Sequence, residues 1–219
     1  MRRILVVDDH PLMREGLKRV IFSSFPHWSV GEASNGSETM SAIWNQTWDL
    51  VLLDLSIPGK NGLELLKEIR EQRPKLPVLI LSMHPEEQFS TRALRAGASG
   101  YLSKSAPSDT LLEAIRQLMR GGKFITSKVA EMLANNLTED SSQPVHERLS
   151  DRELNVLLSI GRGQSVGDIA RTLNLSVKTV STYRARVRVK TGLRNNAEMV
   201  QYVIRNTAVQ ISAGPKNGS

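Results

Sequence analysis

The chain has 219 residues, room for one large domain or two ordinary ones, and its 40% apolar and 23% charged residues suffice for packed cores, which excludes wholesale disorder. It has no cysteine, so disulfides and thiolate metal sites are excluded and a reducing compartment fits. The net charge of +7 is uneven: residues 1–127 carry 16 Lys+Arg against 14 Asp+Glu, residues 128–148 carry 2 against 4, and residues 149–219 carry 11 against 4. A nearly neutral front and a basic back predict two domains, the second meeting a polyanion.

In chain order, MRRILVVDDH turns acidic too soon for a signal peptide, and no uncharged apolar run approaches the roughly 20 residues of a membrane helix. A soluble, cytoplasmic protein with no membrane partner is expected. Apolar runs at Ile4–Val7, Trp28–Gly31 (the weakest), Leu50–Leu53, Val78–Leu81 and Gly100–Leu102 read as strands. Between them, helical patterns lie near 11–23, 36–46, 61–72, 86–97 and 107–121; in 61–72 the stripe is Leu63, Leu65, Leu66 and Ile69, with Pro74 as the stop. Five strands alternating with five helices over residues 1–125 predict an α/β domain with a parallel sheet covered on both faces. Residues 126–148 read as a linker with one extra helix at 126–137, followed by the polar, aperiodic TEDSSQPVHER of 138–148. The rest is all-α, four helices at 150–161, 165–173, 177–191 and 196–206 within a domain of 149–208, then a flexible tail at 209–219.

Ligands of an open parallel sheet bind beyond the carboxyl ends of its strands. Here strand one runs into Asp8 and Asp9, strand three ends at Asp54, strand four at Ser82, and Lys104 follows strand five. Three close carboxylates repel and need a cation, and an oxygen-only set without His or Cys favours Mg²⁺. Mg²⁺ and a lysine ammonium together neutralise a transferring phosphoryl group while a carboxylate acts as nucleophile. Asp54, alone at the centre of the edge, is the expected nucleophile. Asp8 and Asp9 are expected as metal ligands, Ser82 as a hydrogen-bond donor to the phosphoryl group and Lys104 as its ion-pair partner. His10 and His84 flank the pocket and read as surface residues.

In the basic third, Ser165 can cap a helix carrying Ile169, Ala170 and Leu173; Asn174-Leu175-Ser176 makes a turn, and Ser176 caps the next helix. On that helix Val177, Val180, Val187 and Thr191 share a side expected to face the core. Lys178, Ser181, Thr182, Ala185 and Val189 lie opposite, flanked by Arg186 and Arg188. Small residues ringed by cations suit entry to a DNA major groove, and residues 177–191 contain no acid. Lys178 and Thr179 are expected on the phosphate backbone, with Arg184 and Lys190 completing the contacts.

The segments LVVDDH, LLDLSIPGKNGLE, LILSMH and GYLSK together resemble the receiver domain of two-component response regulators, and the basic third resembles the helix-turn-helix of the NarL/FixJ (LuxR-type) class. The resemblance covers residues 3–122 and 149–206. It implies a flavodoxin-like (βα)5 receiver, Asp54 phosphorylated by a sensor histidine kinase or slowly by small phosphodonors, and Mg²⁺ held by Asp8, Asp9, Asp54 and the backbone carbonyl of Ser56. It also implies a switch in which Ser82 moves toward the phosphoryl group and Tyr101 turns inward, with Pro58 and Gly62 shaping the loop after Asp54. Helix 177–191 becomes the recognition helix and 196–206 a support for homodimers formed on phosphorylation. Double-stranded promoter DNA and RNA polymerase are the further partners. Lysine stands at Ser181 or Ala185 in some relatives, so base preferences do not carry over.

Two other readings compete. A phosphohydrolase of the haloacid dehalogenase type also uses an aspartate at a strand end, but needs an acid two residues later, where this chain has Ser56. The chain is therefore not expected to be a turnover enzyme. A receiver-shaped transcription factor governed by ligand or abundance alone has no need of Asp8, Asp9, Asp54, Ser82 and Lys104 together.

Overall fold

A computed structural model describes residues 1–58, 61–83, 86–138, 148–173 and 175–208. His84, Asn174, most of the expected polar linker and the tail at 209–219 lie outside the described residues. The chain divides into two compact units, Met1–Asp140 and Ser141–Ser219.

In the first unit, strands β1 (Arg3–Val7), β2 (Ser29–Ala33), β3 (Leu50–Asp54), β4 (Val78–Ser82) and β5 (Gly100–Ser103) form one parallel sheet in the order β2-β1-β3-β4-β5. Helices α1 (Pro11–Ser24), α2 (Gly36–Asn45), α3 (Gly62–Gln72), α4 (Glu86–Arg95) and α5 (Ser108–Met119) alternate with the strands. Every residue of β3 and β4 is buried, which explains their unbroken apolar runs. β2 begins and ends later than its expected span, at Ser29 and Ala33. As an edge strand it is buried on fewer sides and carries Glu32, so its apolar signal is weak.

Alternation along the strands divides the core. Ile4, Val6, Leu50, Leu52, Leu79, Leu81 and Leu102 join Leu17 and Ile21 of α1 and Leu111, Ala114, Ile115 and Leu118 of α5 in one cluster. Tyr101 precedes Leu102 and so faces the other side of the sheet, where α4 packs against β5.

After α5, Phe124 bridges to Gly100, its N–H donating to the Ser99 carbonyl at 2.9 Å. A Cβ on Gly100 would stand 2.7 Å from the Phe124 carbonyl oxygen, so this approach requires glycine. Helix α6 (Ser127–Thr138) follows and packs on α4, with Val129 buried. The extra helix read as part of the linker thus belongs to the first unit.

Arg70 on α3 ties two connections together. Its guanidinium donates to the carbonyls of Gly97 (2.6 Å), Pro74 (2.9 Å) and Leu76 (2.7 Å) and to Ser99 Oγ (3.0 Å).

The second unit contains α7 (Asp151–Gly161), α8 (Val166–Thr172), α9 (Val177–Thr191) and α10 (Asn196–Ala208). Ser150 and Ser165 each close a capping box, with Glu153 and Asp168, and Ser176 caps α9 through the Thr179 N–H. Helix α7 packs against α9 and α10 over Leu154, Val156, Leu157, Ile169, Val180, Val187 and Met199. Val177, expected in this core, is 56% exposed, at the first position of α9. Among the described residues no helix is long and apolar enough to cross a membrane.

Removing the guanidinium leaves carbonyls around Gly97 and Leu76 without their donor. Arg70→Ala should lower the stability of the first unit by about 2–3 kcal/mol. All three tryptophans, Trp28, Trp44 and Trp48, lie in that unit, so denaturant unfolding followed by tryptophan fluorescence checks the value.

Candidate functional site

The carboxyl edge of the sheet gathers residues from three strand ends and the turn after β5. Register places Asp54 beside Leu81 and Ser82 beside Ser103, and the Lys104 N–H donates to the Ser82 carbonyl at 2.9 Å. Lys104 Nζ then lies 2.6 Å from Asp8 Oδ2 and 2.8 Å from Asp54 Oδ2. All three side chains are nearly inaccessible.

Burial pushes the Asp54 carboxyl above its ordinary range, and the Lys104 ammonium opposes that rise. For Lys104, burial favours the neutral amine, but Asp54 and Asp8 more than offset it and hold the ammonium above its usual value. Asp54 Oδ1 also accepts the Ser56 N–H at 3.1 Å, which folds the following loop back over the aspartate. Gly62 lets α3 start against that loop: a Cβ there would sit 2.5 Å from Leu55 Cα, and its N–H donates to the Leu55 carbonyl.

Asp8, Asp9, Asp54 and His10 each offer one ligand atom within 4.8 Å of the others, a group able to hold a metal ion. Apart from ion-pair contacts, the buried oxygens Asp8 Oδ2, Asp9 Oδ1 and Asp54 Oδ2 have no hydrogen-bond partner. Converging carboxylates, with Asp9 Oδ1 buried and accepting no hydrogen bond, fit a cation. Ser82 is fully buried beside this group.

Tyr101 is 1% exposed, where the switch expectation needs a ring free to turn inward. In this conformation the ring is already inside, because α4 covers that face of β5.

Sequence reasoning missed Arg14. Its Nη1 donates to the Asp8 carbonyl at 2.7 Å and its Nε to Glu32 Oε2 at 2.9 Å, anchoring the acidic turn to β2. Lys18 reaches the other oxygen of Glu32 at 2.7 Å. An arginine one turn into an amphipathic helix carries no sequence signal of this clamp, whose partner lies 18 residues away.

On α9, Lys178, Thr182, Ala185, Arg186, Arg188 and Val189 are exposed, while Ser181 and Arg184 are half-buried. Thr179 is engaged in the cap, its Oγ1 2.8 Å from Ser176 Oγ. Lys190, expected on DNA, has its ammonium 2.6 Å from Glu153 Oε2. Glu153 is buried on α7, and its Oε2 also accepts the Ser150 N–H at 2.8 Å. Sequence reasoning saw Glu153 as neither cap nor tether, although a Ser followed by Glu three residues later was the available signal for the cap.

Residues 4–116 match the model of the response regulator receiver domain, and residues 147–203 match that of bacterial regulatory proteins of the luxR family. The chain is similar to the response regulator UvrY of Escherichia coli K12, 35% identical over 207 residues that cover 94% of this chain and 95% of that one. It is also 34% identical to the response regulator GacA of Pseudomonas protegens over 212 residues, covering 97% of this chain and all of that one. The chain belongs to the NarL/FixJ family of response regulators. Among solved structures it resembles RcsB from Salmonella enterica serovar Typhimurium bound to promoter P1flhDC in the presence of phosphomimetic BeF3-, at 26% identity and TM-score 0.58, covering 92% of this chain and 97% of that one.

Lys104 is the cation paired with both Asp8 and Asp54 in this response regulator. Lys104→Met should cost about 3 kcal/mol at neutral pH in metal-free buffer. Without the ammonium, only the Ser56 N–H opposes the effect of burial on Asp54, whose pKa, already above its ordinary value, rises further. The penalty therefore grows as pH rises and shrinks as pH is lowered from 7 to 5 and more of Asp54 is protonated. Denaturation midpoints at the two pH values check the sign.

Proposed function

We propose that this response regulator accepts a phosphoryl group on Asp54 from a sensor histidine kinase and, when phosphorylated, pairs and binds promoter DNA to regulate transcription. One observation carries the reading: Asp54, Asp8, Asp9 and Lys104 converge on one buried point at the end of a parallel sheet. Asp54 is the nucleophile. Its carboxylate attacks phosphorus in line as the bond to the donor imidazole nitrogen breaks, and the electron pair leaves with the imidazole.

Asp8, Asp9, Asp54 and the Ser56 carbonyl would hold Mg²⁺, which supplies charge neutralisation to the phosphoryl oxygens when bound. Lys104 stays paired with those oxygens after transfer, and the Ser82 hydroxyl donates to one of them. Ser56 offers no carboxylate to activate water, so the acyl phosphate is held as a signal and the chain is a regulator without enzymatic turnover. Such a regulator works in the cytoplasm, beside its kinase, DNA and RNA polymerase.

In the second unit, the exposed face of α9 enters the major groove, with Ser181, Thr182 and Ala185 toward base edges and Lys178, Arg186 and Arg188 toward phosphates. The RcsB structure on promoter DNA with a phosphomimetic supports this coupling of modification to binding. Control by ligand or abundance alone is disfavoured by the buried ion pairs of Lys104, which a silent pocket has no reason to maintain.

Two measurements test the reading. With Mg²⁺ and acetyl phosphate, mass spectrometry should show one added phosphoryl group on the native chain and none on Asp54→Ala; equal labelling of both refutes the assignment. In DNA titrations at varied salt, Arg186→Ala with Arg188→Ala should flatten the slope of log affinity against log salt by about 2. Lys190→Met should weaken binding but leave the slope near its native value, because Lys190 is tethered to Glu153.

A further inference from the structure

His10 is the one nitrogen donor in the group of four at the carboxyl edge among the described residues. Its side chain is 69% exposed, in keeping with a surface position, yet its ring nitrogen turns back to the acids. Nδ1 lies 2.8 Å from Asp9 Oδ1 and 3.2 Å from Asp8 Oδ1. The backbone aims it there: His10 is the N-cap of α1, its N–H donates to Asp8 Oδ1 at 2.9 Å, and Pro11 follows at the first helical position.

The site has two sides. Lys104 takes the inner one, at Asp8 Oδ2 and Asp54 Oδ2, whereas Asp9 and His10 face each other on the outer one. Asp9 Oδ1 is buried and accepts no aligned hydrogen bond, even from the ring beside it. His10 Nδ1 makes its hydrogen-bond contact with Asp8 Oδ1, which leaves Asp9 Oδ1 2.8 Å from that nitrogen with no proton aimed at it, as two ligands of one ion would stand. Donors bound side by side at about 2.0–2.1 Å from a metal lie about 2.9 Å apart in an octahedron and about 3.3 Å apart in a tetrahedron. The spacings of 2.8 Å and 3.2 Å lie close to those two values.

We propose that His10 is a ligand of the cation site, which makes it a mixed nitrogen–oxygen site preferring borderline first-row metals such as Co²⁺ and Zn²⁺ over Mg²⁺. Imidazole is a good ligand for those ions and a poor one for Mg²⁺, which prefers water and carboxylate. The ring nitrogen would bind a metal through its lone pair, with the N–H of the imidazole on Nε2. The inference rests on the cation site of the proposed function and adds a selectivity determinant to it.

Calorimetric titrations of the full chain with MgCl2 and with CoCl2 test it, alongside visible absorption of bound Co²⁺, for native protein, His10→Ala and Asp9→Asn. His27, His84 and His146 supply any background sites, and all three are present in every variant. His10→Ala should lower the ratio of Co²⁺ to Mg²⁺ affinity roughly tenfold or more and shift the Co²⁺ absorption band. An unchanged ratio and band in His10→Ala, with Asp9→Asn still weakening both ions, overturns the role of the histidine alone. Asp9→Asn without effect on Mg²⁺ overturns the cation site and this inference with it.

Discussion

The Lys104 ammonium, held within 2.8 Å of Asp8 and Asp54, is the interaction on which the first unit's chemistry depends. Two buried carboxylates this close are charged together only with a cation between them. The sheet supplies that arrangement through register. β3 and β4 align Asp54 with Leu81, β4 and β5 align Ser82 with Ser103, and Lys104 follows in the turn. A slip of one residue in any of these strands would turn its core residues to the wrong face, so core packing and site assembly share a single constraint.

That shared constraint explains why the pocket was legible in the sequence. Each of its members follows an apolar run, and the runs mark where buried strands end. The residues that escaped are those whose meaning lies in a distant partner. Arg14 gains its role from Glu32, Arg70 from a turn 27 residues on, and Glu153 from a lysine 37 residues on. No local pattern distinguishes such side chains from ordinary solvated charges. His10 shows the intermediate case, exposed as its type and position predict, yet aimed by the backbone in a way that side-chain chemistry alone does not reveal.

The second unit was legible through its caps, because a serine followed by an acid fixes where a helix begins. Charge was a coarser guide. Counting every cation of α9 toward DNA treats the helix as free, whereas Lys190 belongs to the packing of α9 on α7. Its pairing with the carboxylate that also closes the α7 cap links the start of one helix to the last turns of the other. Lys190, near the end of α9, thus ties the helix to α7 beyond the positions of Ala185 and Arg186.

Helix α6 changes how the pocket connects to its surroundings. Tyr101 is enclosed on the face of β5 that α4 covers, and α6 lies on α4 in turn. The end of β4 at Ser82 leads within a few residues into α4, so any movement of Ser82 toward a group on Asp54 pulls on the chain entering that helix. Helix α6 packs on α4, and its Val129 is buried. The Phe124 bridge pins the segment before α6 to the edge of β5. Helix α6 is therefore anchored at its start and rests on the helix that follows the strand ending at Ser82.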